Sequence, residues 1–123
     1  MTRALVCGGR DYNDRDALYA ALDRLHAEHH FSMLIAGGAR GADTLAYEWA
    51  TARSVPTEVY MADWALGSKA GPIRNQRMLD DGKPNLVIAF PGDTGTAGMM
   101  AIARRAGVRI IQPVQSGESR TPE

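Results

Sequence analysis

The chain has 123 residues, 45% hydrophobic and 23% charged, which suits one compact domain with a real core. Fourteen basic residues balance fourteen acidic ones, so the formal net charge is zero and attachment to nucleic acid by bulk charge alone is excluded. The single cysteine, Cys7, excludes an internal disulfide or a cysteine-based zinc cluster, and no apolar stretch is long enough to span a bilayer.

The first apolar run, residues 4–7 (ALVC), reads as a strand, with Cys7 a small buried residue at its end. Gly8, Gly9, Arg10, Asp11 and Tyr12 follow it. Asp14 is a good N-cap for a first helix, which puts Leu18, Ala21, Leu22, Leu25 and His29 on one stripe. His26, His29 and His30 cluster near the end of this helix, where a cation complements the helix dipole; metal binding is not expected of them. A second strand, residues 33–36 (MLIA), leads into Gly37, Gly38, Ala39, Arg40, Gly41, Ala42 and Asp43. The second helix then carries Ala42, Leu45, Ala46, Trp49 and Ala50 at helical spacing. A third strand is expected at residues 58–61, followed by Asp63, Trp64 and a glycine-containing loop to Pro72. The third helix runs from Pro72, a favoured first-turn residue, to Leu79. Residues 86–90 form a fourth strand and "FPGDTGTAG", residues 90–98, its exit; the fourth helix follows Thr96 and stops before Gly107. A fifth strand occupies residues 108–111.

Continuous apolar runs fit strands covered on both faces, and strand–helix alternation with short links is the pattern of a parallel sheet. We therefore expect a single Rossmann-like α/β domain of three layers over residues 1–112, with five parallel strands in the order 3-2-1-4-5. Residues 113–123 are expected to be a flexible tail, since they show no periodicity.

Four strand ends carry glycine and polar residues, and in open α/β sheets these ends lie on one rim where ligands bind. The expected rim holds three arginines, Arg10, Arg40 and Arg74, and four aspartates, Asp11, Asp43, Asp63 and Asp93. Arginine and backbone N–H suit a phosphate, and carboxylates suit ribose hydroxyls. At least one rim aspartate is expected to pair with an arginine instead, Asp11 first among them. Trp64 and Tyr12 are placed to stack on a base or ribose, or to pack beneath a loop. Neither the dinucleotide nor the triphosphate glycine signature is present.

The segments "GGRDY", "GGARGADTLAYEWA", "ADW…G…AGPIRNQRM" and "FPGDTGTAGM" together resemble the YspA/YpsA-related branch of the SLOG superfamily, from Arg3 to about Ile111. That superfamily includes the LOG-type phosphoribohydrolases and the DprA-type DNA-processing proteins. The resemblance implies a nucleotide or nucleotide-derived ligand, ADP-ribose-like molecules included, at the rim. LOG enzymes split base from ribose 5-monophosphate with a P-G-G-x-G-T-x-x-E loop and a helix arginine. Pro91, Gly92, Gly95 and Thr96 match that loop, Asp93 stands for its second glycine, Arg74 takes the helix arginine's place, and Met99 occupies the carboxylate position. A thioether cannot stabilise the developing positive charge of a breaking glycosidic bond. Met99 also falls on a stripe with Ile102, Ala103 and Ala106, as a packing residue would.

Three readings follow. The first is a small-nucleotide-binding domain, a sensor or sequestering protein, with ligand contacts from Gly8, Gly9, Arg10, Asp11, Gly37, Gly38, Arg40, Gly41, Asp43, Trp64, Arg74, Asn75, Pro91, Gly92, Asp93, Thr94, Gly95 and Thr96. The second is a nucleotide hydrolase that recruits Asp93 or Asp63, with Arg74, in place of the missing carboxylate. The third is a DprA-like single-strand binder, for which Ala39-Arg40-Gly41-Ala42-Asp43 and Arg74-Asn75 match the motifs. A neutral chain with two Trp, four Tyr and two Phe lacks the basic, aromatic track such a binder needs, so nucleic acid is not expected as a partner. No cofactor, metal or membrane partner is expected. A cytoplasmic location is, and so is a homodimer through the outer face of the fourth helix near Met100.

Overall fold

The computed structural model describes residues 1–114. The tail expected over 113–123 lies outside the described residues from position 115 onward.

Five strands form one parallel sheet: β1 (Thr2–Cys7), β2 (Phe31–Ala36), β3 (Thr57–Val59), β4 (Leu86–Ala89) and β5 (Arg109–Ile111). Their order is β3-β2-β1-β4-β5, as the apolar runs led us to expect. β1 is central, pairing Ala4 with Leu34 of β2 on one side and with Leu86 of β4 on the other. Both edge strands are only three residues long, which limits the unpaired backbone offered to other chains.

The four helices are α1 (Arg15–His29), α2 (Ala42–Ala52), α3 (Ala70–Asp80) and α4 (Thr94–Arg105). Alternation along the strands divides the core in two, because successive side chains point to opposite faces. Ala4 and Val6 of β1 join Leu34, Ile88 and Phe90 against α1 and α2, with Leu18, Leu22 and Trp49 wholly buried. Leu5 and Cys7 face the other way, with Ile35, Val87 and Ala89, against Met78 of α3 and Met99 and Ala103 of α4. Asp14 caps α1 by accepting from the Ala17 N–H at 3.1 Å. His29 is half-buried at the end of that helix, and His26 accepts from the Phe31 N–H through Nδ1 at 3.0 Å, joining the helix end to β2.

Two helix starts differ from expectation. α3 begins at Ala70, not Pro72, and α4 at Thr94, not after Thr96. Each early turn contains a glycine, Gly71 or Gly95, the residue that most often marks a loop. The loop expected before Pro72 is also partly ordered: residues Trp64–Lys69 form 3₁₀ turns kinked at Gly67, where φ is +69°.

Candidate functional site

The strand order fixes where the site lies. Between β1 and β4 the chain turns to opposite sides of the sheet, opening a crevice at the carboxyl ends of those strands. Their exit loops meet there: the Gly9 N–H donates to the Pro91 carbonyl at 2.8 Å. The resulting cleft has a volume of about 1000 Å³, at the upper end of small-molecule sites. Gly8, Gly9, Arg10, Asp11, Arg40, Asp43, Trp64, Arg74, Asn75 and all six residues from Pro91 to Thr96 line it.

Four residues expected on the binding rim do not line the main cleft. Gly37 and Gly38 line a smaller recess beside the cleft, and Gly37 receives a hydrogen bond from the Arg74 guanidinium on its carbonyl. Gly41 lines neither cavity, and its φ is +79°. A Cβ on it would collide with the Gly9 and Arg10 carbonyl oxygens, so this glycine lets the β2–α2 loop close against the β1–α1 loop. Asp63 also lines neither cavity; its carboxylate accepts from the Ala65 N–H at 3.1 Å and caps the 3₁₀ turn.

The charged groups divide by burial. Arg40 pairs with Asp11 at 3.1 Å, as expected, but both side chains are largely exposed, so the pair contributes little. Asp43 is buried and accepts from the Ala39 N–H at 3.1 Å. Burial raises its pKa above the ordinary aspartate value, opposed by the backbone donors at Ala39 and Gly37 and by the Arg74 charge. Arg74 is half-buried, donates through Nε to Asn75 Oδ1 at 3.0 Å, and has its pKa lowered, first by burial. Asn75 reaches the Gly95 carbonyl at 3.3 Å, so α3 positions the arginine beside the first turn of α4. Burial pushes the Cys7 thiol up to about 12, which leaves no thiolate nucleophile at neutral pH.

Helix ends distinguish the site from the rest of the fold. Asp93 makes no side-chain cap to α4, and α2 and α3 likewise begin without one, whereas α1 has its Asp14. The first N–H groups of α4 are therefore free to meet an anion. A Cβ on Gly95 or Gly98 would meet nothing within 4 Å, so nothing in the fold requires glycine there.

Met99 is 1% exposed and packs with Leu5, Cys7, Met78 and Val87. Because α4 starts at Thr94, it belongs to the second turn, further from the free N–H groups than a start after Thr96 implied. Sequence reasoning missed Gly71, Gly98 and Arg105, which also line the cleft. Glycine inside a helix costs about 1 kcal/mol relative to alanine, and that cost was the available signal. Tyr12 packs on Phe90 with ring centres 5.5 Å apart, and its buried hydroxyl has no partner among the described residues. Trp64 is exposed at the mouth, with the Arg10 guanidinium 4.7 Å from its ring centre. Among the described residues, no helix is long and apolar enough to cross a membrane.

Comparison with known proteins gives two findings. The model of the YspA, cpYpsA-related SLOG family matches residues 2–67, which include the β1 and β2 exit loops. The chain is also 38% identical over 120 residues to the Gene 61 protein of Mycobacterium phage D29, across 90% of this chain and 95% of that protein.

Proposed function

The chain belongs to the YspA, cpYpsA-related SLOG family, and from that premise we propose that it binds a small nucleotide in the β1/β4 cleft as a sensor or sequestering protein. Family membership suggests a nucleotide-related ligand; the cleft supports a particular placement of it. One observation carries the reading: the uncapped first turn of α4, open at Gly95, borders a cleft that also holds the half-buried Arg74. A phosphate there would take hydrogen bonds from the first N–H groups of α4 and a charge-assisted contact from Arg74.

Binding without cleavage is the reading the burial of Met99 favours. Hydrolysis of the LOG type needs a carboxylate at that position, and of the two substitutes considered, Asp63 caps the 3₁₀ turn and does not line the cleft. Asp93 does line the cleft, so an Asp93-assisted hydrolase is the second reading.

Incubation with the four nucleoside 5′-monophosphates, followed by calorimetry and chromatography, tests both. We expect binding with no released base, and affinity about tenfold or more weaker in Arg74→Ala, where a charge-assisted hydrogen bond is lost. Base release by the unmodified protein, abolished in Asp93→Asn, would overturn the binding-only reading.

A further inference from the structure

Beside the main cleft lies a recess of about 260 Å³ whose charged lining is of one sign. Arg10, Arg40 and Arg74 all border it, together with Gly37, Gly38, Ala39, Met61, Ala62 and Trp64. No carboxylate lines it among the described residues, although Asp11, Asp43 and Asp93 all line the cleft next door. Three arginines around one small space, with the carboxylates Asp11 and Asp43 outside its lining, concentrate positive charge at the recess.

The three arginines are only partly compensated. Arg10 has no carboxylate within ion-pair distance among the described residues; its guanidinium rests on the Trp64 ring. Arg74 donates to the Gly37 carbonyl and to Asn75, both uncharged; burial opposes its charge first, the nearby Asp43 carboxylate supports it, and Arg10 adds to the opposition. Arg40 bonds the Arg10 carbonyl at 3.3 Å and pairs with an Asp11 that is almost wholly exposed, an attachment an incoming anion can replace. The recess has the volume of about nine waters, room for a phosphoryl group with part of its solvent shell. Arg10, Arg40 and Arg74 border the main cleft as well, so one ligand can reach both spaces.

We propose that this recess is a second anion subsite, and that the ligand is a nucleotide with two or more phosphoryl groups, one at the first turn of α4 and another among Arg10, Arg40 and Arg74. The proposal rests on the nucleotide reading of the cleft and adds the ligand's class. All three arginines border both spaces; Arg74, held beside the first turn of α4 through Asn75, is the bridge between the two groups, and Arg10 and Arg40 confer the preference for the second.

Calorimetry with matched nucleoside 5′-monophosphates and 5′-diphosphates tests it. Diphosphates are expected to bind about tenfold tighter or more, the worth of an added charge-assisted contact. The Arg10→Gln/Arg40→Gln double variant should bring the ratio of diphosphate to monophosphate affinity down to about one; both arginines also border the main cleft, so the ratio is the readout. Both side chains are exposed, so the variant should fold, and an unchanged thermal midpoint would verify it. Equal affinity for the two series, or a preference that survives in the double variant, would overturn the second subsite. Gly95→Val tests the first site separately: it should weaken monophosphates and diphosphates alike. If monophosphates bind and lose affinity in Gly95→Val but diphosphates gain nothing, only the second subsite falls. If no nucleotide of either series binds, the reading of the cleft falls with it.

Discussion

The glycines leaving β1 and β2 and those in the early turns of α3 and α4 resemble one another in sequence, yet they stand in opposite surroundings. A Cβ on Gly8 would meet the Ala42 Cβ at 2.6 Å, one on Gly9 the Pro91 carbonyl oxygen at 3.0 Å, and one on Gly41 the carbonyl oxygens of the β1 loop. At Gly71, Gly95 and Gly98 it would meet nothing within 4 Å. The first group exists so that the loops can close against each other. The second group is a stretch of bare helix backbone facing the cleft, kept at the expense of helix stability. A binding rim thus needs two kinds of glycine, one to build the crevice and one to leave space inside it.

Substitution on the crowded side should have the largest effect. Gly41→Ala combines a left-handed backbone with a collision against the Gly9 and Arg10 carbonyls, so we expect a loss of about 3–4 kcal/mol in denaturant unfolding. A loss below about 1 kcal/mol would mean that the two loops can separate freely, and the division into two glycine classes would fail there.

Met99→Glu probes the boundary between the classes, since Met99 follows the open Gly98 and is buried where the core meets the cleft. A carboxyl group there should cost about 2–3 kcal/mol in the same measurement. It should also fail to release base from a bound monophosphate, because the side chain is packed among Leu5, Met78 and Val87. Met99 also borders the floor of the cleft, so turnover by this variant would mean that a carboxyl there reaches the ligand.

How much of this was legible in the sequence depends on the range of the interaction concerned. Strand order and the meeting of the β1 and β4 loops were, because apolar runs such as 86–90 and right-handed crossovers determine them with few alternatives. The helix starts at Ala70 and Thr94 were not, since Gly71 and Gly95 satisfy the local rule for a loop while the surrounding fold holds them helical. The three-residue error at α4 mattered, because it moved Met99 from the first turn to the second. The building role of Gly41 was hidden for another reason: its reason for being glycine lies 32 positions earlier in the chain, at the Gly9 carbonyl. Asp63 read as a rim carboxylate by position, but the turn it caps was itself unforeseen.

Gly98→Ala turns the comparison into a change of sign. With open space at its Cβ, alanine should raise stability by about 0.5–1 kcal/mol. Nucleotide affinity should fall in the same variant if the bare backbone is there for the ligand. Gains in both would mean that Gly98 lies outside the contact surface and that the open class is smaller than three.

Asp43→Asn gives the smallest effect and the finest distinction, because it asks whether the crowded side is built to hold a charge. The folded state raises the pKa of Asp43, burial outweighing the Ala39 and Gly37 N–H donors and Arg74. For an acid with a raised folded pKa, the folded protein binds the proton more tightly than the unfolded chain does. The stabilisation linked to that proton is fully present below the ordinary aspartate value of about 3.9, and is lost as pH rises through the folded value. Asparagine does not titrate, and its side-chain oxygen can still accept from the Ala39 N–H. The stability of Asp43→Asn relative to the natural protein should therefore grow from about pH 4 upward and level off once the folded carboxyl is ionised. The measurement is a set of denaturant curves for both proteins across that range. A relative stability that falls as pH rises would mean that Arg74 and the backbone donors outweigh burial, making Asp43 a fixed counter-charge of the arginine. In that case less of the Arg74 charge would be left for a phosphate, and the open side of the site would have to bind its anion mainly through the first turn of α4.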